Sequence, residues 1–366
     1  MAHASGTGIL TRRRLLGGLA AGAGAGIASL PRSAAQDSRR ATEDPQPIDI
    51  AARPISQFLR SSPNLQRFGS LEFRGGLVLT SPSRDFGGWS GLVMDAGGRS
   101  LLAVSDAGSW LTADIVYEGE RPARMTNARL GPLLAADGRS LRGKREQDAE
   151  SVALLDGTLT RGTLLVGFER VHRIGRFEIR DREVRAPIGY LRLPPEAKRM
   201  QPNQGIEALA VLQAGPLRGS VVAFAERFTR GSGYHTGWIW IRGEPHRIQL
   251  QDIDGFNITD AAGLPDGGLL VLERYFRWTE GVKMRIRRLA PGEIVPGARL
   301  TGRTLLQADS SYEIDNMEGL AVHQGARGET VVSLISDDNF NGFLQRTIFL
   351  QFALASEQPK PEPRTP

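Results

Sequence analysis

A phrase that recurs five times along the chain constrains its fold more than any other sequence feature. Each copy has a short opening, followed by an apolar run that ends on a carboxylate. The openings end at Leu92, Val152, Leu209, Leu264 and Leu320, in steps of 60, 57, 55 and 56 residues. The runs end at Asp106, Glu169, Glu226, Glu273 and Asp337. A period of this length in a strand-rich chain is typical of radially repeated β-folds.

Short apolar runs separated by glycine turns give each period room for four strands. In the second period these strands are expected at 151–155, 163–169, 173–180 and 183–193. The fifth period has room for only three, and an unassigned apolar strand at 70–80 precedes the first repeat. We therefore predict an all-β fold, a β-propeller of five four-stranded blades, closed by this N-terminal strand. Six blades would require one hidden in a long insertion, and a two-sheet β-sandwich would not explain the period.

The composition excludes several kinds of site and partner. The chain has no cysteine, which excludes disulfides and thiolate metal ligands. Its formal net charge is +6, but residues 1–35 carry four arginines and no acid, which leaves +2 for the remainder. So small an excess does not indicate a nucleic-acid-binding protein.

The first 35 residues have the pattern of an export signal. The arginines at 12–14 precede a glycine- and alanine-rich apolar stretch, and Ser33-Ala-Ala35 supplies small residues for cleavage. We expect a twin-arginine signal peptide at 1–35, recognised by the corresponding export machinery, and a mature protein that is periplasmic or secreted. Residues 36–69 are proline-rich and are expected to be a linker, 70–354 to form the propeller, and 355–366 to be a disordered tail.

The repeated acids are expected to meet at one end of the propeller, because the first strand of a blade starts beside the end of the second. The first-strand starts supply Glu150, Glu207, Asp260 and Glu318. The second-strand ends supply Asp106, Glu169, Glu226, Glu273, Asp337 and Asp338. Crowded carboxylates need compensation, either by a hard cation such as calcium or by arginine. Arg170, Arg227 and Arg274 each directly follow an acid of the second series. The acids are therefore candidate calcium ligands, and pairing in structural ion pairs is the alternative.

Other catalytic patterns are weak. His172 is the best candidate for a general acid, although a histidine in a loop is more often simply polar surface. Gly88-Trp-Ser-Gly-Leu92 lacks the final glycine of a serine-hydrolase elbow, and no phosphate-binding glycine loop followed by Lys-Ser/Thr occurs.

Several segments together carry a family resemblance. They are the twin-arginine start, Glu-Gly-Leu-Ala-Val at 318–322, Ser-Asp-Asp-Asn-Phe at 336–340 and Phe-Ala-Glu-Arg-Phe at 224–228. Over roughly residues 70–354 the chain resembles bacterial exported proteins grouped as phytase-like, with "esterase-like activity of phytase". The resemblance implies a β-propeller and calcium-dependent hydrolysis of phosphate esters, with the acids holding calcium and Arg170, Arg227 and Arg274 contacting phosphate. Two departures are the five blades, where well-understood propeller phytases have six, and the presence of only four lysines.

Two functions follow as hypotheses. The first is an exported calcium-dependent hydrolase acting on a small-molecule phosphate ester. The second is a non-catalytic propeller that binds a protein or envelope ligand through the same end. In both cases we expect a monomer without a stable membrane insertion once the signal is removed.

Overall fold

The computed structural model describes residues 44–202, 205–226, 228 and 232–355. The expected signal peptide at 1–35, Arg227 and the tail from residue 356 lie outside the described residues. Across the described part of the chain, no helix combines the length and the apolar character needed to cross a membrane.

The described residues form five mainly antiparallel sheets arranged as a five-bladed β-propeller, as predicted. Blade 1 contains β5 (Trp89–Met94), β6 (Ser100–Ser105), β7 (Ser109–Glu118) and β8 (Arg121–Pro132). Blade 2 contains β9 (Ala149–Gly157), β10 (Arg161–Phe168), β11 (Arg173–Arg180) and β12 (Glu183–Tyr190). Blade 3 contains β13 (Ile206–Val211), β14 (Val221–Ala225), β15 (Tyr234–Ile241) and β16 (Glu244–Gln251).

Blade 4 contains β17 (Asn257–Gly263), β18 (Leu269–Arg277), β19 (Gly281–Leu289) and β21 (Arg303–Ala308). Blade 5 contains β22 (Met317–Gln324), β23 (Thr330–Ser336), β24 (Thr347–Leu354) and the N-terminal β4 (Leu71–Thr80). The helical segments are α1 (Gly143–Gln147), between blades 1 and 2, and the 3-10 turn η1 (Pro195–Arg199), between blades 2 and 3.

The N-terminal strand closes the ring. β4 pairs with β24 along its whole length, with Leu79 opposite Thr347 and Leu71 opposite Leu354. This confirms the predicted closure: the last three strands of the chain obtain their fourth from its beginning.

The region before β4, expected to be a linker, pairs with blade edges. β1 (Gln46–Pro47) pairs with β8, while β2 (Ala51–Ile55) and β3 (Arg67–Phe68) pair with β4. Phe58 is fully buried against Phe68, Phe73 and Phe352. The described part of this segment is therefore packed onto the propeller, since its apolar side chains cover the outer edge of blade 5.

Blade 4 differs from the prediction at two places. The apolar segment 299–306, which the four-strand pattern assigns to the fourth strand of this blade, is interrupted at Gly302, which has a φ of +71°. As a result β20 (Arg299–Leu300) pairs in parallel with β16 of blade 3, and only β21 joins blade 4. In addition, its first strand begins at Asn257, earlier than the predicted opening at 262–264.

Each of the five inner strands carries a β-bulge at the same place, two residues before the apolar residue that repeats. The bulged residues are Ser90, Glu150, Glu207, Thr259 and Glu318. The next position along each strand holds Gly91, Ser151, Ala208, Asp260 and Gly319. The bulges thus define the true repeat, in which Ala261, and not Leu264, is the counterpart of Leu92 and Leu320.

Four of the five residues after the bulge are small, and the fifth is Asp260. The Asp260 side chain is fully buried and accepts hydrogen bonds from the backbone N–H groups of Ala261 and Leu320, both at 2.8 Å. The N–H groups of Leu92 and Leu209 also donate to it. One carboxylate therefore joins the inner strands of blades 1, 3, 4 and 5.

Replacing Asp260 should destabilise the whole propeller. An Asp260→Ala variant would leave several buried N–H groups without an acceptor, and each such group costs about 1–3 kcal/mol. We expect the free energy of unfolding, measured by urea denaturation, to fall by at least about 3 kcal/mol. The control is Asp137→Ala, at a side chain with 64% exposure, which should change it little. Equal stability of the two variants would contradict the role of Asp260.

Candidate metal centre

The start of each inner strand and the end of the second strand of its blade meet at one end of the propeller, here called the acidic end. Two tiers of side chains surround the axis there. The bulge tier consists of Ser90, Glu150, Glu207, Thr259 and Glu318. The outer tier follows the second strands and consists of Asp106, Glu169, Glu226, Arg274 and Asp337. Blades 2, 3 and 5 supply an acid to both tiers, whereas blade 4 supplies none.

Among the described residues, two groups of three carboxylates form in blades 2 and 3. Oxygen atoms of Asp148, Glu150 and Glu169 lie within 4.8 Å of one another, and so do oxygen atoms of Glu169, Glu207 and Glu226. Glu169 belongs to both groups. All five side chains are buried or half-buried. Oxygen ligands at this spacing suit a hard divalent cation such as calcium.

Crowding of like charges raises pKa values in this cluster. The pKa of Glu207 lies well above its usual value, first because of burial and then because of the negative charges of Glu169, Glu150, Glu226 and Glu318. The pKa of Asp337 is raised in the same way, by burial and then by Glu318 and Asp106. The cluster therefore favours taking up protons or cations.

Basic side chains compensate part of this charge. Lys144 of α1 lies 2.6 Å from Asp106 Oδ2 and 2.8 Å from Asp148 Oδ1. Arg170 Nε lies 2.9 Å from Asp148 Oδ2. Arg274 NH1 lies 3.2 Å from Glu318 Oε1. Of the three arginines expected to contact phosphate, Arg170 and Arg274 thus reach the acidic end, and Arg227 is outside the described residues.

Blade 4 brings neither of its two predicted ligands into the cluster. Glu273 is fully buried between Arg285 Nε at 2.8 Å and Arg287 NH2 at 2.5 Å. It pairs in register with Ile258, so the next residue, Arg274, takes the outer-tier position. Asp260 lies one residue past the bulge, where backbone N–H groups surround it. The physical reason is the same in both cases: the sequence repeat of blade 4 is offset from its structural repeat.

The adjacent acids of blade 5 shape a turn. Asp337 Oδ1 accepts a hydrogen bond from the Asn339 N–H at 2.6 Å. Asp338 accepts from the N–H groups of Phe340 at 3.0 Å and Gly88 at 3.2 Å. Gly88 has a φ of +67°, and a Cβ there would lie 2.4 Å from Asp106 Oδ1. The Asp338 carboxylate is therefore bound by backbone N–H groups of nearby loops. Asp337 also lies near the negative charges of Glu318 and Asp106.

His172 lies in the turn after β10, and its imidazole contacts a backbone carbonyl rather than the clustered carboxylates. Its Nε2 is 3.2 Å from the Met200 carbonyl oxygen, and burial lowers its pKa. This contact joins the turn after β10 to Met200, which directly follows η1. Lys144 is the residue that sequence reasoning missed, and its spacing of four residues from Asp148 on a short helix was the available signal.

The raised pKa of Glu207 predicts a pH dependence of stability. A carboxyl whose pKa is higher in the folded state contributes stability at low pH and loses it as the pH rises from its unfolded value, near 4.5, through the folded value. With chelator present, we expect the melting temperature to fall as the pH is raised above about 4.5. The melting temperature of the Glu207→Gln variant should fall less over the same range. Calcium should restore the melting temperature of the unaltered protein. Identical pH profiles of the two proteins would contradict this.

Comparisons with known proteins give one family match and several matches to solved structures. A family model described as phytase-like, "Esterase-like activity of phytase", matches residues 84–340. Solved structures with similar folds include the β-propeller domain of Cps50 (Swd1) from Myceliophteria thermophila, at 11% identity and a TM-score of 0.38, covering 84% of this chain and all of that one. Another is an endo-arabinase from Bacteroides thetaiotaomicron, at 11% identity and a TM-score of 0.46, covering 76% of this chain and 98% of that one.

No curated protein matches the sequence significantly. The family match spans well over half of the chain and contains all of the clustered carboxylates described above. Its bounds run from the loop before blade 1 to the acidic turn of blade 5. The chain therefore belongs to the phytase-like family.

Proposed function

We propose that this protein is an exported, calcium-dependent hydrolase of phosphate esters that works at the acidic end of its propeller. The single observation that carries the proposal is the pair of three-carboxylate groups that share Glu169. Family membership supports a hydrolase-like propeller.

The residues present fit calcium. Calcium takes about six to eight oxygen ligands in flexible geometry, and Asp148, Glu150, Glu169, Glu207 and Glu226 offer carboxylate oxygens without nitrogen or sulfur donors among them. These five side chains would hold the ion or ions. Bound there, calcium would neutralise the phosphate of a substrate and lower the pKa of an attacking water.

The remaining roles fall to side chains around this cluster. Arg170, with about a third of its side chain exposed, and the less exposed Arg274 are placed to donate hydrogen bonds to phosphate oxygens. A carboxylate of the cluster that the ion leaves free would accept the proton that the attacking water loses. The water oxygen would then bond to phosphorus as the ester P–O bond breaks, and the leaving alkoxide would take the proton from the carboxyl that had accepted it.

The rival is a non-catalytic propeller that binds an envelope ligand or a protein. One observation favours it: several acids at this end already have a basic partner, such as Asp148 with Lys144 and Arg170. The assay below separates the two, because only the hydrolase turns substrate over.

Phosphoesterase activity should depend on calcium and on Glu169. We expect the mature protein to hydrolyse members of a phosphate-ester panel with calcium and to lose activity with EGTA. Glu169→Gln should lower kcat/KM by at least about 100-fold, since it removes a ligand shared by both groups. Glu244→Gln, at a side chain with 63% exposure in blade 3, is the matched control and should keep its activity. If no member of the panel is turned over in a calcium-dependent way, the hydrolase proposal is wrong and the non-catalytic binding function remains.

Export should depend on the arginines at 12–14. Replacing Arg12, Arg13 and Arg14 by lysine keeps the charge and removes the guanidinium groups that the twin-arginine pattern requires. In a bacterial host we expect the unaltered precursor to reach the periplasmic fraction and the variant to stay in the cytoplasm, as judged by fractionation and immunoblotting. Equal periplasmic amounts would contradict twin-arginine export.

A further inference from the structure

Large apolar side chains are exposed around the candidate metal centre. Phe343 is 95% exposed, Leu344 and Trp278 are each 73% exposed, and Val171 is 39% exposed. They lie in the turns that follow the second strands of blades 2, 4 and 5. These turns are at the acidic end, because the outer-tier residues Glu169, Arg274 and Asp337 lie just before them or near the ends of the same strands.

The most exposed pair is held by the acidic turn itself. The N–H groups of Asn339 and Phe340 donate to Asp337 and Asp338, and both residues have a positive φ, of 49° and 50°. The Leu344 and Gln345 N–H groups then donate to the Asn341 carbonyl oxygen, at 2.9 and 3.0 Å. Phe343 and Leu344 therefore project from a hydrogen-bonded turn and are not the end of an unstructured loop.

Trp278 occupies the tip of the β18–β19 hairpin. Its ring contacts Phe276 edge-on, with centroids 5.8 Å apart. Beside it Glu280 forms ion pairs with Lys283 at 2.5 Å and Arg277 at 3.5 Å. An indole that projects from a hairpin next to charged groups has the character of a residue at a lipid–water interface.

We infer that the acidic end of this propeller docks on a lipid surface, with Trp278, Phe343 and Leu344 entering the boundary between headgroups and acyl chains. The apolar tips belong to separate blades and point outward, which suits a fluid surface that can surround each tip. Exposed Arg142 and Arg145, on the loop of α1 at the same end, would add attraction to anionic headgroups. Where the proposed hydrolase activity also holds, this docking would bring phosphate esters carried by lipids to the carboxylate cluster.

Tryptophan fluorescence offers a direct test. The chain has five tryptophans, and Trp89, Trp110, Trp238 and Trp240 are at most 3% exposed. A change in emission on adding lipid therefore reports on Trp278. We would titrate the mature protein, with EGTA present, with vesicles of phosphatidylcholine mixed with phosphatidylglycerol, and follow co-sedimentation in parallel. Chelation separates docking from the calcium site, and no turnover is measured.

We expect a blue shift of Trp278 emission and co-sedimentation with the vesicles. The double variant Phe343→Ser with Leu344→Ser should weaken vesicle partitioning by at least about 100-fold, since two large side chains no longer leave water. Val295→Ser is the matched control, because Val295 is 42% exposed on the loop after β19, at the opposite end, and should bind as the unaltered protein does. No shift with the unaltered protein would overturn the proposal, and so would equal binding of all three proteins. Phosphoesterase activity on soluble esters would survive either failure.

Discussion

The Asp260 carboxylate is the contact on which the arrangement of the blades depends. It accepts backbone N–H groups from the inner strands of four blades, so the ring is joined at its axis as well as along its blade faces. Burial raises its pKa and these hydrogen bonds oppose the rise, because four N–H groups favour the charged form. The residues at the corresponding position of the other four blades are Gly91, Ser151, Ala208 and Gly319, so only blade 4 places a carboxylate at this level.

The bulges of the inner strands lie between the acidic end and a cavity with largely aliphatic walls. On one side, they turn Glu150, Glu207 and Glu318 toward the acidic end, where like charges crowd. On the other side, a cavity of about 750 Å³ opens among the last residues of the inner strands and has walls such as Val93, Val211 and Val322. A ladder without bulges would keep its strict alternation, and the glutamates would not stand beside the outer-tier acids.

The number of blades and the closing strand could be predicted from the sequence, because a period in apolar runs and a missing strand are both visible in the order of residues. The positions of the acidic residues of blade 4 could not be predicted in this way. Glu273 and Arg274 are neighbours, and only the strand register decides which of them reaches the axis. Asp260 looked like a member of the repeated acids, yet its role depends on N–H groups from three other blades. Lys144 contacts two carboxylates from a short helix between blades 1 and 2, which the repeat of apolar strands does not predict.

The pairing of β4 with β24 has a consequence for how the chain acquires its structure. Leu79 and Thr347 are partners although nearly the whole domain separates them in sequence. Contacts of such high sequence separation form slowly, since a long loop must be ordered before they can contribute. During synthesis, the edges of β4 and of the last blade stay open until the ribosome has released the final strand. A nascent or truncated chain that lacks β24 therefore leaves one edge of the largely apolar β4 unpaired, although β2 and β3 can cover the other edge, and is a target for chaperones and for aggregation.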